Sequence, residues 1–153
     1  MKNIDEIIVD YIDRETDEDH VAVLLSAGTD SITCGLAAQR LGKKVTGYSM
    51  YVNGKQTTDS LGARDVAEHF GWDFVPVDVP VDNIEEDFFT LINKYHCKKK
   101  TQVECTFPFL YVYPKIKEKV VLSGVAADGW YGVSKRANIH FKHTKELFDQ
   151  FRN

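Results

Sequence analysis

A chain of 153 residues is long enough for one compact domain that buries roughly two-thirds of its unfolded surface. Its content of 43% hydrophobic and 27% charged residues excludes a fibrous or disordered protein. The formal charge of -4 argues against broad, non-specific binding of nucleic acid. No apolar run approaches the roughly 18 residues that a membrane span needs, and the first residues lack a signal-peptide pattern, so we expect a cytoplasmic protein.

The first half of the chain alternates helices and strands. Apolar residues at helical spacing predict a helix over roughly the first dozen residues, and the apolar run of residues 21–25 predicts a strand buried on both faces. Further helices are predicted at residues 32–41 and 60–70, and further strands at residues 45–52 and 74–79. Gly42 and Gly71 are typical of helix ends, and Pro76 indicates that its strand lies at a sheet edge.

The second half is less regular. Apolar spacing predicts helices at residues 84–95, 107–116 and 143–151, and a buried strand at residues 120–122. The lysine run at residues 98–100 is interpreted as a solvated loop, with a contact to phosphate or to an acidic partner as the alternative. By their positions after a strand end and a helix end, residues 51–58 and 98–106 are the expected substrate-facing loops.

Alternating helices and strands with short connections imply a parallel sheet with right-handed crossovers and covering helices. The predicted fold is therefore an α/β domain, a doubly wound parallel sheet flanked by helices, with residues 1–153 as one domain. The three cysteines, Cys34, Cys97 and Cys105, lack CxxC spacing and suggest neither a disulfide framework nor a zinc site.

A small polar loop between the first strand and the following helix carries the strongest functional signal. Ser26 and Ser31 supply hydroxyl groups, and backbone N–H groups at a helix start point outward as anion donors. Gly28 lets a phosphate approach the backbone, and Asp30 supplies oxygens suited to a magnesium ion between phosphates. The alternative is that the segment is only turn and helix-cap chemistry.

A second segment repeats this design. Residues 120–122 form the predicted strand, and Ser123, Gly124 and then Asp128 follow it. Two strand ends of one parallel sheet could bring Asp30 and Asp128 to a single crevice at the carboxyl edge. Asp128 would then lie beside the candidate magnesium ligand Asp30, and both are candidate catalytic residues.

These residues resemble a known superfamily. Residues 26–31, Ser-Ala-Gly-Thr-Asp-Ser, are similar to the SGGxDS PP-loop of N-type ATP pyrophosphatases, and residues 123–129 are similar to the SGEGxDE segment of asparagine and β-lactam synthetases. The resemblance implies an adenine nucleotide alpha hydrolase-like fold that binds ATP and Mg²⁺. The residues that it implies for pyrophosphate are Ser26, Gly28, Thr29 and Ser31, and those for magnesium are Asp30 and Asp128.

The resemblance also implies contacts to the rest of the nucleotide. Leu25 and Met50 would flank adenine, with an ordinary core methionine as the alternative for Met50, and Ser123 and Gly124 would lie along the nucleotide. Lys135 could stabilise charge on the transferring phosphate, although solvation of a tail is the simpler interpretation of this lysine.

Several positions depart from the family pattern. Ala27 replaces the second residue of the first motif, Val125 replaces the first Glu of SGEGxDE, and Gly129 replaces its last Glu. The chain also ends before the further helices of asparagine synthetase domains, so we expect a truncated or split domain. A partner chain would then supply those helices or ammonia.

The leading hypothesis is an ATP pyrophosphatase-type C–N ligase that adenylates a small-molecule carboxylate, releases pyrophosphate and passes the acyl group to a nitrogen nucleophile. One alternative is a nucleotide-binding subunit without catalysis. The other is a relative of 7-cyano-7-deazaguanine synthase, whose cysteine-rich zinc site has no counterpart in this sequence.

Overall fold

The computed structural model describes residues 4–125. The chain divides into two units, residues 1–123 and residues 124–153. Only Gly124 and Val125 of the second unit belong to the described range, and the helix predicted at residues 143–151 lies outside it. That residues 1–153 form one ATP-binding domain stays a prediction.

The first unit contains a four-stranded sheet and six α-helices in residues 4–125. The strands are β1 His20–Leu24, β2 Lys44–Val52, β3 Asp73–Val79 and β4 Val121–Leu122. The helices are α1 Ile4–Glu15, α2 Thr29–Arg40, α3 Thr58–Phe70, α4 Ile84–Asn93, α5 Lys100–Thr106 and α6 Phe109–Val112, and a 3₁₀ helix, Tyr113–Lys115, follows α6. No helix in this described part is long and apolar enough to cross a membrane.

The sheet is wholly parallel, with the strand order β3-β2-β1-β4. Pro76 lies in β3, whose only neighbour among the described strands is β2, so the predicted edge position is confirmed. The chain proceeds outward from β1 to β3 and then returns to the other side of β1. The order of strands therefore reverses between β1 and β4, at the point where ligands bind in open α/β sheets.

Apolar side chains pack on both faces of the sheet. One cluster joins alternate residues of β1, among them Val21 and Val23, to Ala38 of α2 and Ala63 of α3. The other joins the intervening residues of β1 and β2 to Val112 of α6. Helices thus cover both faces, and the predicted doubly wound α/β fold is confirmed.

Two predictions for the second half are wrong in detail. Residues 100–106 form α5 and not a loop, because Val103 is buried and the Gln102 side chain accepts the N–H groups of Lys98 and Lys99 ahead of the helix. The helix predicted at residues 107–116 is broken into α6 and the 3₁₀ helix. Pro108 caps α6 and Pro114 lies in the 3₁₀ helix, and neither can donate the N–H that a continuous helix requires.

The other predicted substrate loop is shorter than expected. Tyr51 and Val52 still belong to β2, and α3 begins at Thr58. The connection is therefore residues 53–57, all of which are exposed. Its end is fixed by a capping box, in which the Thr57 hydroxyl accepts the Ser60 N–H at 3.2 Å and the Ser60 hydroxyl accepts the Thr57 N–H at 2.9 Å.

Candidate functional site: the loop between β1 and α2

The predicted phosphate loop leaves the sheet at the carboxyl end of β1. The Leu25 side chain is 3% exposed in the core, and the next residue, Ser26, is exposed. Gly28 and Thr29 are also exposed, whereas Asp30 is half-buried. The change from an apolar strand to a small polar loop thus places five predicted ligands at the carboxyl edge of the sheet, two in the loop after β1 and three in the first turn of α2.

Ser31 holds this loop from inside. Its side chain is buried, its hydroxyl donates to the Gly28 carbonyl at 2.9 Å, and the same oxygen accepts the Ser26 N–H at 3.3 Å. The Ser26 hydroxyl accepts the Gly28 N–H at 3.4 Å. In this conformation Ser31 ties the two ends of the loop together, and its contact to pyrophosphate stays a prediction.

The start of α2 offers backbone donors. The Ile32 N–H donates to the Gly28 carbonyl at 3.1 Å, so the hydrogen-bond ladder of α2 begins at Ile32. The N–H groups of Thr29, Asp30 and Ser31 precede it and have no acceptor within the helix. Gly28 is the N-cap and carries no side chain to cap them. These donors, together with the positive end of the helix dipole, suit a phosphate group.

Gly28 and Ala27 give the loop its shape. A Cβ atom placed on Gly28 would lie 3.3 Å from the Ser26 hydroxyl oxygen, which is a tight contact in the middle of the loop. Ala27 has φ of 60°, a left-handed conformation that glycine adopts much more readily than alanine. The backbone here has the shape expected of the glycine in the SGGxDS motif, although this chain carries alanine.

Asp30 lies in the first turn of α2, close to Cys34 one turn later. Burial, followed by the negative charge of Asp30, raises the pKa of the Cys34 thiol. The thiol therefore stays protonated near neutral pH and is not an activated nucleophile.

The two predicted adenine contacts lie on different faces of the sheet. Leu25 packs with the cluster under α2 and α3, and its N–H donates to the Tyr48 carbonyl at 2.8 Å. Met50 lies near the carboxyl end of β2 and packs, half-buried, against the other cluster with Tyr48 and Val77. Both are next to the carboxyl edge, and their contact with adenine stays a prediction.

The second motif is described only in part. Leu122, the last residue of β4, is paired with Val23, so Ser123 follows β4 beside the place where β1 ends. Gly124 is the first residue of the second unit. Asp128 and Lys135 lie outside the described residues. Because Asp128 is not described, Asp30 is the one predicted magnesium ligand within residues 4–125. In the same range no three His, Cys, Asp or Glu side chains form a group that could hold a metal ion.

One residue at this edge was not found by sequence reasoning. Gly62 of α3 faces the loop, and a Cβ atom built on it would lie 2.9 Å from the Cβ of Ala27. A lone glycine inside a helical pattern is the only signal that could have found it, because such a residue usually has a packing or functional reason.

A parallel sheet whose strand order reverses next to a glycine-containing loop is the arrangement typical of nucleotide-binding α/β domains. Residues 3–149 match the model of the asparagine synthase family. The chain therefore belongs to that family and to the PP-loop ATP pyrophosphatase superfamily, as the loop motif indicated.

Three solved structures show the same fold at low sequence identity. NMN synthetase from Francisella tularensis is 13% identical at a TM-score of 0.52, over 78% of this chain and 51% of that one. The NH3-dependent NAD synthetase from Campylobacter jejuni is 15% identical at a TM-score of 0.51, over 78% of this chain and 53% of that one. The glutamine-dependent NAD+ synthetase from Acinetobacter baumannii, in complex with ADP, is 17% identical at a TM-score of 0.51, over 83% of this chain and 25% of that one.

This chain spans about half the length of the first two synthetases and a quarter of the third. No curated protein matches it.

Proposed function

We propose that this chain binds ATP with Mg²⁺ at the loop of residues 26–31 and adenylates a small-molecule carboxylate, releasing pyrophosphate, as an amide-forming ligase or a component of one. The observation that carries the proposal is the set of N–H donors at the start of α2, which lie at the strand-order reversal of the sheet. Membership of the asparagine synthase family supports the same chemistry.

In this proposal the loop binds the β- and γ-phosphates. The hydroxyl groups of Ser26 and Thr29 and the free N–H groups of α2 donate to phosphate oxygens, with Gly28 leaving room for them. Ser31 keeps the loop closed on itself from within. Leu25 and Met50 would flank the adenine, and Ser123 and Gly124 would lie along the nucleotide.

Asp30 and Asp128 would hold the magnesium ion. Carboxylate oxygens are the ligands that Mg²⁺ prefers, and the bound ion would neutralise charge on neighbouring phosphate oxygens. Asp30 fits this role because it is half-buried at the start of α2, next to the phosphate donors. Lys135 would stabilise the charge that develops on the α-phosphate during adenylation.

The nucleophile in the proposed reaction is ammonia or an amine. Two of the similar structures are named as an NH3-dependent and a glutamine-dependent synthetase, which supports a nitrogen nucleophile here. The proposal includes a partner chain that supplies ammonia or further helices. We place the reaction in the cytoplasm.

A second candidate is a nucleotide-binding subunit without catalysis. Val125 and Gly129 stand where asparagine synthetases have glutamates, so both glutamates of that segment are missing, while its aspartate, Asp128, and the loop motif of residues 26–31 are retained. This candidate shares the ATP site with the first and differs only in the absence of pyrophosphate release. For the third alternative, a 7-cyano-7-deazaguanine synthase, residues 4–125 provide no favourable observation.

Calorimetry with magnesium and ATP tests the proposal, with pyrophosphate release assayed in the same samples. We expect the natural chain to bind only when magnesium is present, and Asp30→Ala and Asp128→Ala to bind at least about tenfold more weakly, a loss of about 1.4 kcal/mol. Asp65→Ala is the matched control, because Asp65 is exposed on α3.

The outcomes separate the candidates. Binding with pyrophosphate release on addition of a carboxylate and ammonia supports the ligase. Binding without release under every condition, including reconstitution with partner chains, supports the non-catalytic subunit. If the natural chain binds no nucleotide, or if Asp30→Ala binds as tightly as Asp65→Ala, the phosphate-site assignment is wrong.

A further inference from the structure

The contact between Ala27 and Gly62 joins the phosphate loop to a helix that neither motif contains. A Cβ atom on Gly62 would lie 2.9 Å from the Ala27 Cβ. Carbon atoms pack at roughly 3.5–4.0 Å, so this place accommodates one methyl group and not two. In this chain Ala27 of the loop carries the methyl group, and Gly62 of the helix leaves room for it.

Helix α3 has little freedom to retreat from the loop. The Thr57–Ser60 capping box fixes its first turn, and Ser60 is itself buried. On the same helix Ala63 and Ala67 are fully buried against the sheet. Small side chains at such positions allow close packing of a helix on strands, and a packed core transmits displacement instead of absorbing it.

The loop is held equally firmly on its own side. The Leu25 N–H is bonded to the Tyr48 carbonyl of β2, and the Ser31 hydroxyl closes the loop onto Gly28 and Ser26. Ala27 lies between these anchors with its φ of 60°. Any atom added to Gly62 must therefore push Ala27 outward and rotate the peptide groups on either side of it, including the one that leads to the N-cap of α2.

We propose that Gly62 is a positioning residue of the candidate site, matched in size to Ala27, so that α3 sets the conformation of the phosphate loop. The expected effect on affinity for ATP rests on the proposed function. The contact between Gly62 and Ala27 rests on the geometry alone. The absence of a side chain on Gly62 leaves room for the methyl group of Ala27, which stands where the PP-loop motif has glycine.

A cycle of three variants tests it: Gly62→Ala, Ala27→Gly and the double variant. We expect Gly62→Ala to weaken binding of ATP and magnesium by roughly tenfold or more, because the donors of the loop are displaced together. The double variant moves the methyl group from the loop to the helix and is expected to regain an affinity within about threefold of the natural chain. Ala27→Gly alone is expected to bind about as well as the natural chain.

Asp65→Ala controls for helix propensity. Replacing glycine or aspartate by alanine favours a helix, so a role for Gly62 confined to α3 would leave binding unchanged in both variants and raise the thermal midpoint of each. If Gly62→Ala binds ATP as tightly as Asp65→Ala, the proposal is overturned. It is also overturned if the double variant binds as weakly as Gly62→Ala.

The same variants separate this proposal from the proposed function. If the natural chain binds no ATP, the proposed function fails, and the contact is then judged from thermal unfolding of the four chains. A double variant more stable than the sum of the single changes establishes the contact between the two positions. Additive shifts in the thermal midpoint overturn it.

Discussion

The two ends of the sheet differ in how their polar groups are hydrogen-bonded. Near the amino edge the Glu118 carboxylate meets the side chains of His20 and Thr46 and the hydroxyl of Tyr48, which extends there from the middle of β2; we name these four residues the amino-edge network. The Glu118 carboxylate accepts from the Tyr48 hydroxyl at 2.8 Å and from the Lys117 N–H at 3.1 Å, and it lies 3.2 Å from His20 Nε2. At the carboxyl edge three of the six residues 26–31 are exposed, and the N–H groups of Thr29, Asp30 and Ser31 have no acceptor within α2.

Burial and hydrogen bonding act against each other at Glu118. Its side chain is 4% exposed, and this burial raises the pKa of the carboxyl group. Hydrogen bonds from Thr46 and Tyr48, and from the N–H groups of Glu118 and Lys117, lower the pKa and prevail. The carboxylate is therefore charged and fully engaged, as a buried charge must be to avoid a large desolvation penalty.

The comparison assigns different roles to the two edges. A polar group that is already paired stabilises the fold and is lost to ligands, whereas a donor without a partner adds nothing to the fold and is free to bind. Stability should therefore depend on the amino-edge network and ligand affinity on the phosphate loop. Substitutions at one edge should leave the property of the other unchanged.

The largest expected effect is the loss of Glu118. We expect Glu118→Ala to lower the free energy of unfolding by roughly 2–3 kcal/mol, because the buried Tyr48 hydroxyl loses its acceptor and the hydrogen bond between Thr46 and Glu118 is lost as well. Urea denaturation measures this change, with the exposed Glu68→Ala on α3 as control. Affinity of the folded variant for ATP should be that of the natural chain, and an equal loss of affinity would mean that the two edges are coupled.

A substitution in the loop should lower affinity and leave stability nearly unchanged. Serine is a better N-cap than glycine by a few tenths of a kcal/mol, but its Cβ atom would lie only 3.3 Å from the Ser26 hydroxyl oxygen, so Gly28→Ser should change the free energy of unfolding by less than about 0.5 kcal/mol. Its hydroxyl would accept the same N–H groups that we assign to phosphate, and ATP should bind about tenfold more weakly. Unchanged affinity measured by calorimetry would show that these donors do not bind the nucleotide.

The smallest expected effect is a change in stability at acid pH. The pKa of Glu118 is lowered in the folded chain, so the unfolded chain takes up this proton first as the pH falls. The stability due to the ionised carboxylate is present above the ordinary value of 4.5 and is lost as the pH falls through the lower, folded value. The stability gap between the natural chain and Glu118→Gln should therefore narrow below pH 4.5 in urea titrations, and a constant gap would contradict this assignment.

Much of the fold could be predicted from local pattern. The continuous apolar run of β1 and the helical spacing in α2 and α3 each require burial of a definite face, so their types and approximate bounds follow from the sequence. The loop of residues 26–31 was also found, because a small polar segment between strand and helix is a local feature. Helix α5 was missed because its existence depends on burial of Val103 and on a cap by Gln102, not on periodicity.

By itself, then, the sequence determined the parallel α/β architecture, the position of the polar loop after β1 and the family, since each is encoded by neighbouring residues. Only the tertiary structure decided that Glu118 meets Tyr48, 70 residues away, and that Gly62 makes room for Ala27. Both contacts join residues far apart in the chain, and their partners become known only when the register and the packing distances are fixed. Local propensities carry no information on those distances, because they are set by the packing of whole elements against one another.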